Sequence, residues 1–143
     1  MSVRRLPLIA CAVSSHLLLW SPALGQGADL YSDRTVQALV EETLIADLML
    51  RSCPWLTFSE TGRAELEIVA DELASRAGHS PESAAAQLSS PQTRERVRAG
   101  ALRRLALMGA QPDDAGAICA LADRLVGGPG VIGALLVRGA EKE

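Results

Sequence analysis

The sequence predicts an all-α fold, a small bundle of about five to six helices tied by one disulfide. Three observations carry this expectation. Apolar residues recur at helical spacing along most of the chain. Proline, glycine and short polar capping residues punctuate those stretches, and no alternating run is long enough for a strand. Two cysteines, Cys53 and Cys119, stand far apart in the segment that would survive export.

The first helix is expected from near Ser32 or Asp33 to about Ser52. Val36, Leu39, Val40, Leu44 and Leu48 make its apolar side, with Glu41, Glu42 and Asp47 on the other. Pro54 stops it, because the residue before a proline is pushed out of the α region. Thr57-Phe58-Ser59-Glu60 has capping-box spacing, with Thr57 at the cap, and opens a second helix. Leu66, Val69, Ala70, Leu73 and Ala77 form one face of it, and Gly78 suits the left-handed position that ends a helix. Ser80-Pro81-Glu82 opens a short helix that ends near Leu88.

Ser90-Pro91 repeats the signal and starts a longer helix to about Met108. Val97, Ala101, Leu105 and Met108 are its apolar stripe, and Gly109 closes it. A fifth helix starts around Pro112-Asp113-Asp114, where the acids complement the helix dipole. Ile118, Cys119, Ala122, Leu125 and Val126 face inward, and Gly127-Gly128-Pro129-Gly130 ends the helix. Val131 to Val137 reads as a short terminal helix, followed by a frayed polar tail from Arg138 to Glu143.

The amino-terminal residues have a different character. Arg4 and Arg5 precede an apolar stretch from Leu6 to Trp20, and Ala23-Leu24-Gly25 has the small-x-small pattern of a processing site. The expected organisation is a signal peptide over residues 1–25 and a single helical domain over 26–143, with its core at about 33–138. Cleavage near Gly25 would place the protein in the periplasm or outside the cell, and membrane association is not expected afterwards. Two alternatives stay open: an uncleaved anchor, and a lipoprotein box, Leu8-Ile9-Ala10-Cys11, in which Cys11 would be lipidated. The second would leave Leu17-Leu18-Leu19-Trp20 dangling in the processed protein.

Cleavage changes the balance of charge and of thiols. Arg4 and Arg5 are lost from 14 basic residues, leaving 12 against 17 acids, a net charge of −5. An acidic exported protein is a poor general binder of nucleic acid. Cys11 is lost as well, and an even pair in an oxidising compartment is read as a disulfide between Cys53 and Cys119.

Several segments also resemble one family. They are Arg51-Ser52-Cys53-Pro54, Ala77-Gly78-His79-Ser80, Met108-Gly109-Ala110, Ile118-Cys119-Ala120-Leu121 and Gly130-Val131-Ile132-Gly133-Ala134-Leu135-Leu136. Their order and spacing resemble a small exported alphaproteobacterial family known as a domain of unknown function. The family commonly has a serine where Gly130 stands and an aromatic residue where Ile118 stands. The resemblance implies the compartment, the helical fold and the paired cysteines, and no activity.

The search for chemistry gives no catalytic, metal or cofactor constellation. His79 is the one histidine after cleavage and is expected as an exposed turn residue, without the partners a base or a zinc site needs. Ser59, Ser80 and Ser90 stand where helix caps are needed, outside any Gly-x-Ser-x-Gly context. Glu41-Glu42 and Asp113-Asp114 are neighbours on helices, an arrangement that suits solvation better than acid–base work.

Charge is the strongest surface signal. Arg94, Arg96, Arg98, Arg103 and Arg104 place five arginines within eleven residues, scattered around their helix. The second helix carries Glu60, Glu65, Glu67, Asp71 and Glu72 against Arg63, a net charge of −4. The two helices would pair or stay solvated, or the arginines would dock an acidic partner or anionic head groups. The candidate partner surface is Arg94, Arg98, Arg103 and Arg104, with Trp55, which together with Phe58 also suits packing beside the disulfide.

The expected function is therefore an exported interaction or accessory protein, not an enzyme, with a protein partner in the periplasm. The alternatives are a small-ligand module between helices, near Trp55 and the Val131–Val137 run, and a small hydrolase using His79. The oligomeric state is left open.

Overall fold

The structure, a computed structural model, describes residues 28–139. The expected signal segment, its processing site and Cys11 lie outside the described residues, as does the end of the tail.

A 3₁₀ turn, Leu30–Ser32, leads into α1, Arg34–Ser52. Then follow β1 (Leu56–Phe58), α2 (Glu60–Arg76), α3 (Pro81–Ser89), α4 (Pro91–Leu107), α5 (Ala115–Leu125), α6 (Val131–Leu135) and β2 (Leu136–Arg138). The capping chemistry acts as expected at most ends. Ser80, Ser90 and Asp114 each accept a backbone N–H from the first turn of the helix that follows. Gly78 and Gly109 take φ of 77° and 90°, the left-handed stop that a side chain would disfavour.

α1 is the axis of the bundle. The 3₁₀ turn, β1, α4, α5 and α6 all pack on it. Hence every residue from Val36 to Leu50 is buried or half-buried. This corrects the two-sided reading of that helix: Ile45, Ala46 and Met49 are its most buried residues, and Glu41, expected on the open side, is also buried. A helix wrapped on several sides has no free polar face, so its acid has to find partners inside. Around α1 the main core gathers Leu105 of α4, Ile118 of α5, and Leu135 and Leu136 near the carboxy terminus. A smaller cluster holds Leu30, Val36, Ala74 and Ala84 at the other end.

The short strands are the second correction. β1 pairs antiparallel with β2 in the register Leu56–Arg138, Thr57–Val137 and Phe58–Leu136. Thr57 is therefore a strand residue, and Ser59 caps α2 by accepting the Gly62 N–H at 3.0 Å. The terminal helix stops at Leu135, where the chain becomes extended, and Arg138 is held in a sheet and not in a frayed tail.

α2 is the least embedded of the long helices. Gly62 and Ala74 are its buried residues, Leu66 and Leu73 are half-buried, and Val69, Ala70 and Ala77 are exposed, against expectation. It touches α6 near its start and α3 near its end. Gly62 permits the first contact, since a Cβ there would lie 2.0 Å from the carbonyl oxygen of Ala134. Including Arg76, which the helix contains, α2 carries a net charge of −3.

Cys53, just past α1, is bonded to Cys119 in α5, with Cα atoms 5.5 Å apart and a sequence separation of 66. Closing a loop of that size in the unfolded chain stabilises the fold by about 4 kcal/mol. The bridge closes the domain instead of a local turn.

Candidate functional site

The site is built where the amino-terminal turn meets α4. Asp29 caps the 3₁₀ turn by accepting the Tyr31 N–H, and Asp33 caps α1 by accepting from Thr35 and Val36. These two caps fix the backbone that aims Tyr31 across α1 toward α4. The Tyr31 hydroxyl donates to Glu41 Oε1 at 2.7 Å and lies 3.1 Å from the carbonyl oxygen of Arg96. Gln37 Nε2 also donates to Glu41 Oε1, at 3.1 Å, and Arg104 Nε donates to Oε2 at 3.2 Å. Glu41 is 4% exposed, so these donors replace the water it has lost.

Gly100 lies directly against this group. A Cβ there would stand 1.9 Å from Glu41 Oε1 and 3.0 Å from the Tyr31 hydroxyl. A glycine in mid-helix is thus what lets α4 close over the carboxylate. Burial, and then the hydrogen bond to Glu41, raise the Tyr31 pKa above the ordinary 10.0.

Above the buried acid lies an open pocket of about 350 Å³, lined by Tyr31, Ser32, Gln37, Arg96, Ala99 and Arg103. Arg96 makes two contacts there. Its Nη1 meets Asp29 Oδ2 at 2.7 Å, and its guanidinium lies 4.6 Å from the centre of the Tyr31 ring. The hydrogen bond from Arg96 is also the main reason the Asp29 pKa falls below its usual value. Arg103 makes no ion pair among the described residues. Arg96, Ala99 and Arg103 are three and four residues apart, which places them on one face of α4, and Leu107, 89% exposed, continues the line.

The expected partner residues are thus not one surface. Arg104 turns inward, bridging Glu41 and, at 3.2 Å, Glu42 Oε1, so it belongs to the α1–α4 contact. Arg94 and Arg98 are exposed and make no ion pair among the described residues, but they leave α4 on another side from Arg103. Trp55 lies past the far end of α1, about 25 Å along the helix from the pocket at the standard rise per residue. The Arg138 guanidinium sits 4.8 Å from its ring centre, and Arg138 also pairs with Asp123. The residue that sequence reasoning left out of the surface is Arg96. Its spacing of seven from Arg103 was the available signal.

His79 is buried, not exposed. Its Nε2 lies 3.0 Å from the Ala28 carbonyl oxygen, which only accepts, so Nε2 carries the proton. Nδ1 lies 3.2 Å from the Ser83 hydroxyl oxygen, within hydrogen-bond reach. The ring ties the amino-terminal segment to α3. Ser59, Ser80 and Ser90 are N-caps, as expected.

A second opening, a groove of about 280 Å³, lies between α2 and α6 and includes Leu39, Leu66, Val69, Val131 and Ala134 in its walls. The terminal run lines it as expected for a ligand cleft, but Trp55 does not. Among the described residues, no group of three or more His, Cys, Asp or Glu could hold a metal ion, and no helix is long and apolar enough to cross a membrane.

Comparison with protein-family models, curated proteins and solved structures gives no match.

Proposed function

We propose that this chain is an exported accessory protein that works by docking an acidic partner on the outer face of α4, without catalysis. Arg103 is the observation that carries this reading. Arg103 has no carboxylate partner among the described residues and lines an open pocket beside Arg96, which is bound to Asp29 and lies over the Tyr31 ring. Two guanidinia in such a recess suit a carboxylate, which accepts paired N–H bonds. Beneath this surface Tyr31, Gln37 and Arg104 all donate to the buried Glu41 carboxylate. Export is supported by the amino-terminal sequence pattern and by the paired cysteines. Membership of the exported family that the sequence resembles belongs to the same proposal.

A photo-crosslinking side chain placed at Ala99 in producing cells tests the reading. A discrete adduct that disappears with Arg103→Glu is expected. No adduct, or one indifferent to Arg103→Glu, contradicts it.

The groove between α2 and α6 supports a second reading, a module for a small apolar ligand. An apolar fluorescent dye should then bind and be expelled by Val69→Arg. A dye that does not bind removes this reading.

A further inference from the structure

We propose that the acidic partner of α4 is a second copy of this chain, docked through the outward face of α2. The proposal rests on the reading of α4 as a docking face and adds the identity of what it docks.

The outward face of α2 is built around Ile68, which is 61% exposed. Ala64 and Glu65 precede it by four and three residues, and Asp71 and Glu72 follow it by three and four, so all four border it on the helix surface. Glu60 and Glu72 are paired with Arg63 and Arg76 of the same helix. Glu65, Glu67 and Asp71 make no ion pair among the described residues.

The outward face of α4 is its counterpart. Leu107 is 89% exposed, one turn beyond Arg103, and Arg96 lies on the same line. The helices carry net charges of −3 and +4. Each face therefore presents an exposed aliphatic residue beside unpaired charge of one sign, and the signs are opposite.

Within one molecule the two faces do not satisfy each other, since no ion pair joins α2 to α4 among the described residues. Two different patches meeting across copies make a heterologous contact, which leaves one patch of each kind free and adds further copies. A contact of two helix faces is small, so the association is weak and sensitive to salt.

Sedimentation of the oxidised, exported protein tests this. The average mass of the natural chain should rise with concentration at low salt and return to monomer at high salt. Leu107→Asp breaks the α4 face and Ile68→Arg the α2 face, each by setting the opposite charge on it, and both residues are exposed, so folding is not at stake. Each variant alone should stay monomeric. Mixed one to one they should form a heterodimer and nothing larger, because one intact face of each kind remains. A natural chain that stays monomeric at low salt, variants that still self-associate, or a mixture that stays monomeric would each overturn the proposal. An acidic peptide titrated into the same samples separates the two readings. If it binds at Arg103 while the chain stays monomeric, the self-association alone fails. If neither occurs, the docking face fails with it.

Discussion

Arg104 on α4 reaches Glu41 on α1 at 3.2 Å and holds a carboxylate that is almost wholly cut off from solvent. This pair decides which arginines of α4 serve the fold and which face outward. Removing the cation would leave a buried acid short of a charged donor, whereas Arg103 has nothing to abandon. Arg104→Ala should therefore destabilise the protein by about 1–3 kcal/mol, discounted because Arg104 is partly solvated. Arg103→Ala should change stability by less than about 0.5 kcal/mol. Urea unfolding of the two variants checks the contrast, and equal effects would contradict it.

Gly100 sets a second test in which two terms oppose. Alanine in an exposed helix interior gains about 1 kcal/mol over glycine. Here the new methyl would meet Glu41 Oε1 at 1.9 Å, and that oxygen is fixed by Tyr31 and Gln37. Overpacking of this kind costs about 1–3 kcal/mol and takes the hydrogen bonds with it. Gly100→Ala should lower the melting temperature. A rise would mean that α4 does not lie this close to α1.

Tyr31 is the chain's one tyrosine, so its titration can be followed directly by ultraviolet absorbance. Burial and the bond to Glu41 hold its proton, so the midpoint should lie above 10.0. The folded state binds this proton more tightly than the unfolded state does. The stability it contributes is thus complete below pH 10 and falls as pH rises through the folded value. Glu41→Gln should move the midpoint toward the ordinary one. A midpoint at or below 10.0 in the natural chain would contradict the buried contact.

The bridge between Cys53 and Cys119 closes a loop whose release in the unfolded chain is worth about 4 kcal/mol. Reduction should lower the melting temperature by roughly 15 °C or more, given about 4–8 °C per kcal/mol for a small domain. Helical circular dichroism at low temperature should largely persist. No change in melting on complete reduction would contradict the bridge.

Much of the fold was legible because its signals are local. Ser80-Pro81 and Ser90-Pro91 announce helices through hydrogen bonds made within one turn, and Gly78 and Gly109 end them through their own backbone freedom. What depended on distant partners was not legible. Thr57 reads as a cap until Val137 pairs with it, because three residues are too few for an alternation signal. Glu41 reads as solvated until α4 covers it, and His79 as a turn residue until Ala28 and Ser83 bind both its nitrogens. Val69 reads as core, yet α2 packs mainly at its ends and leaves that residue open. The proposed docking face was half legible: Arg103 was placed on it, but Arg96, one of the five arginines of the helix, joins it only through its contacts with Tyr31 and Asp29.

The most direct test of that face is fluorescence anisotropy of a labelled glutamate-rich peptide titrated with the oxidised protein. Arg124→Glu serves as the control, an exposed arginine on α5 with no ion pair among the described residues. Saturable binding should weaken with added salt, weaken roughly tenfold (~1.4 kcal/mol) with Arg103→Glu, and stay unchanged with Arg124→Glu. Absent binding, or equal losses for the two variants, would contradict a docking face on α4.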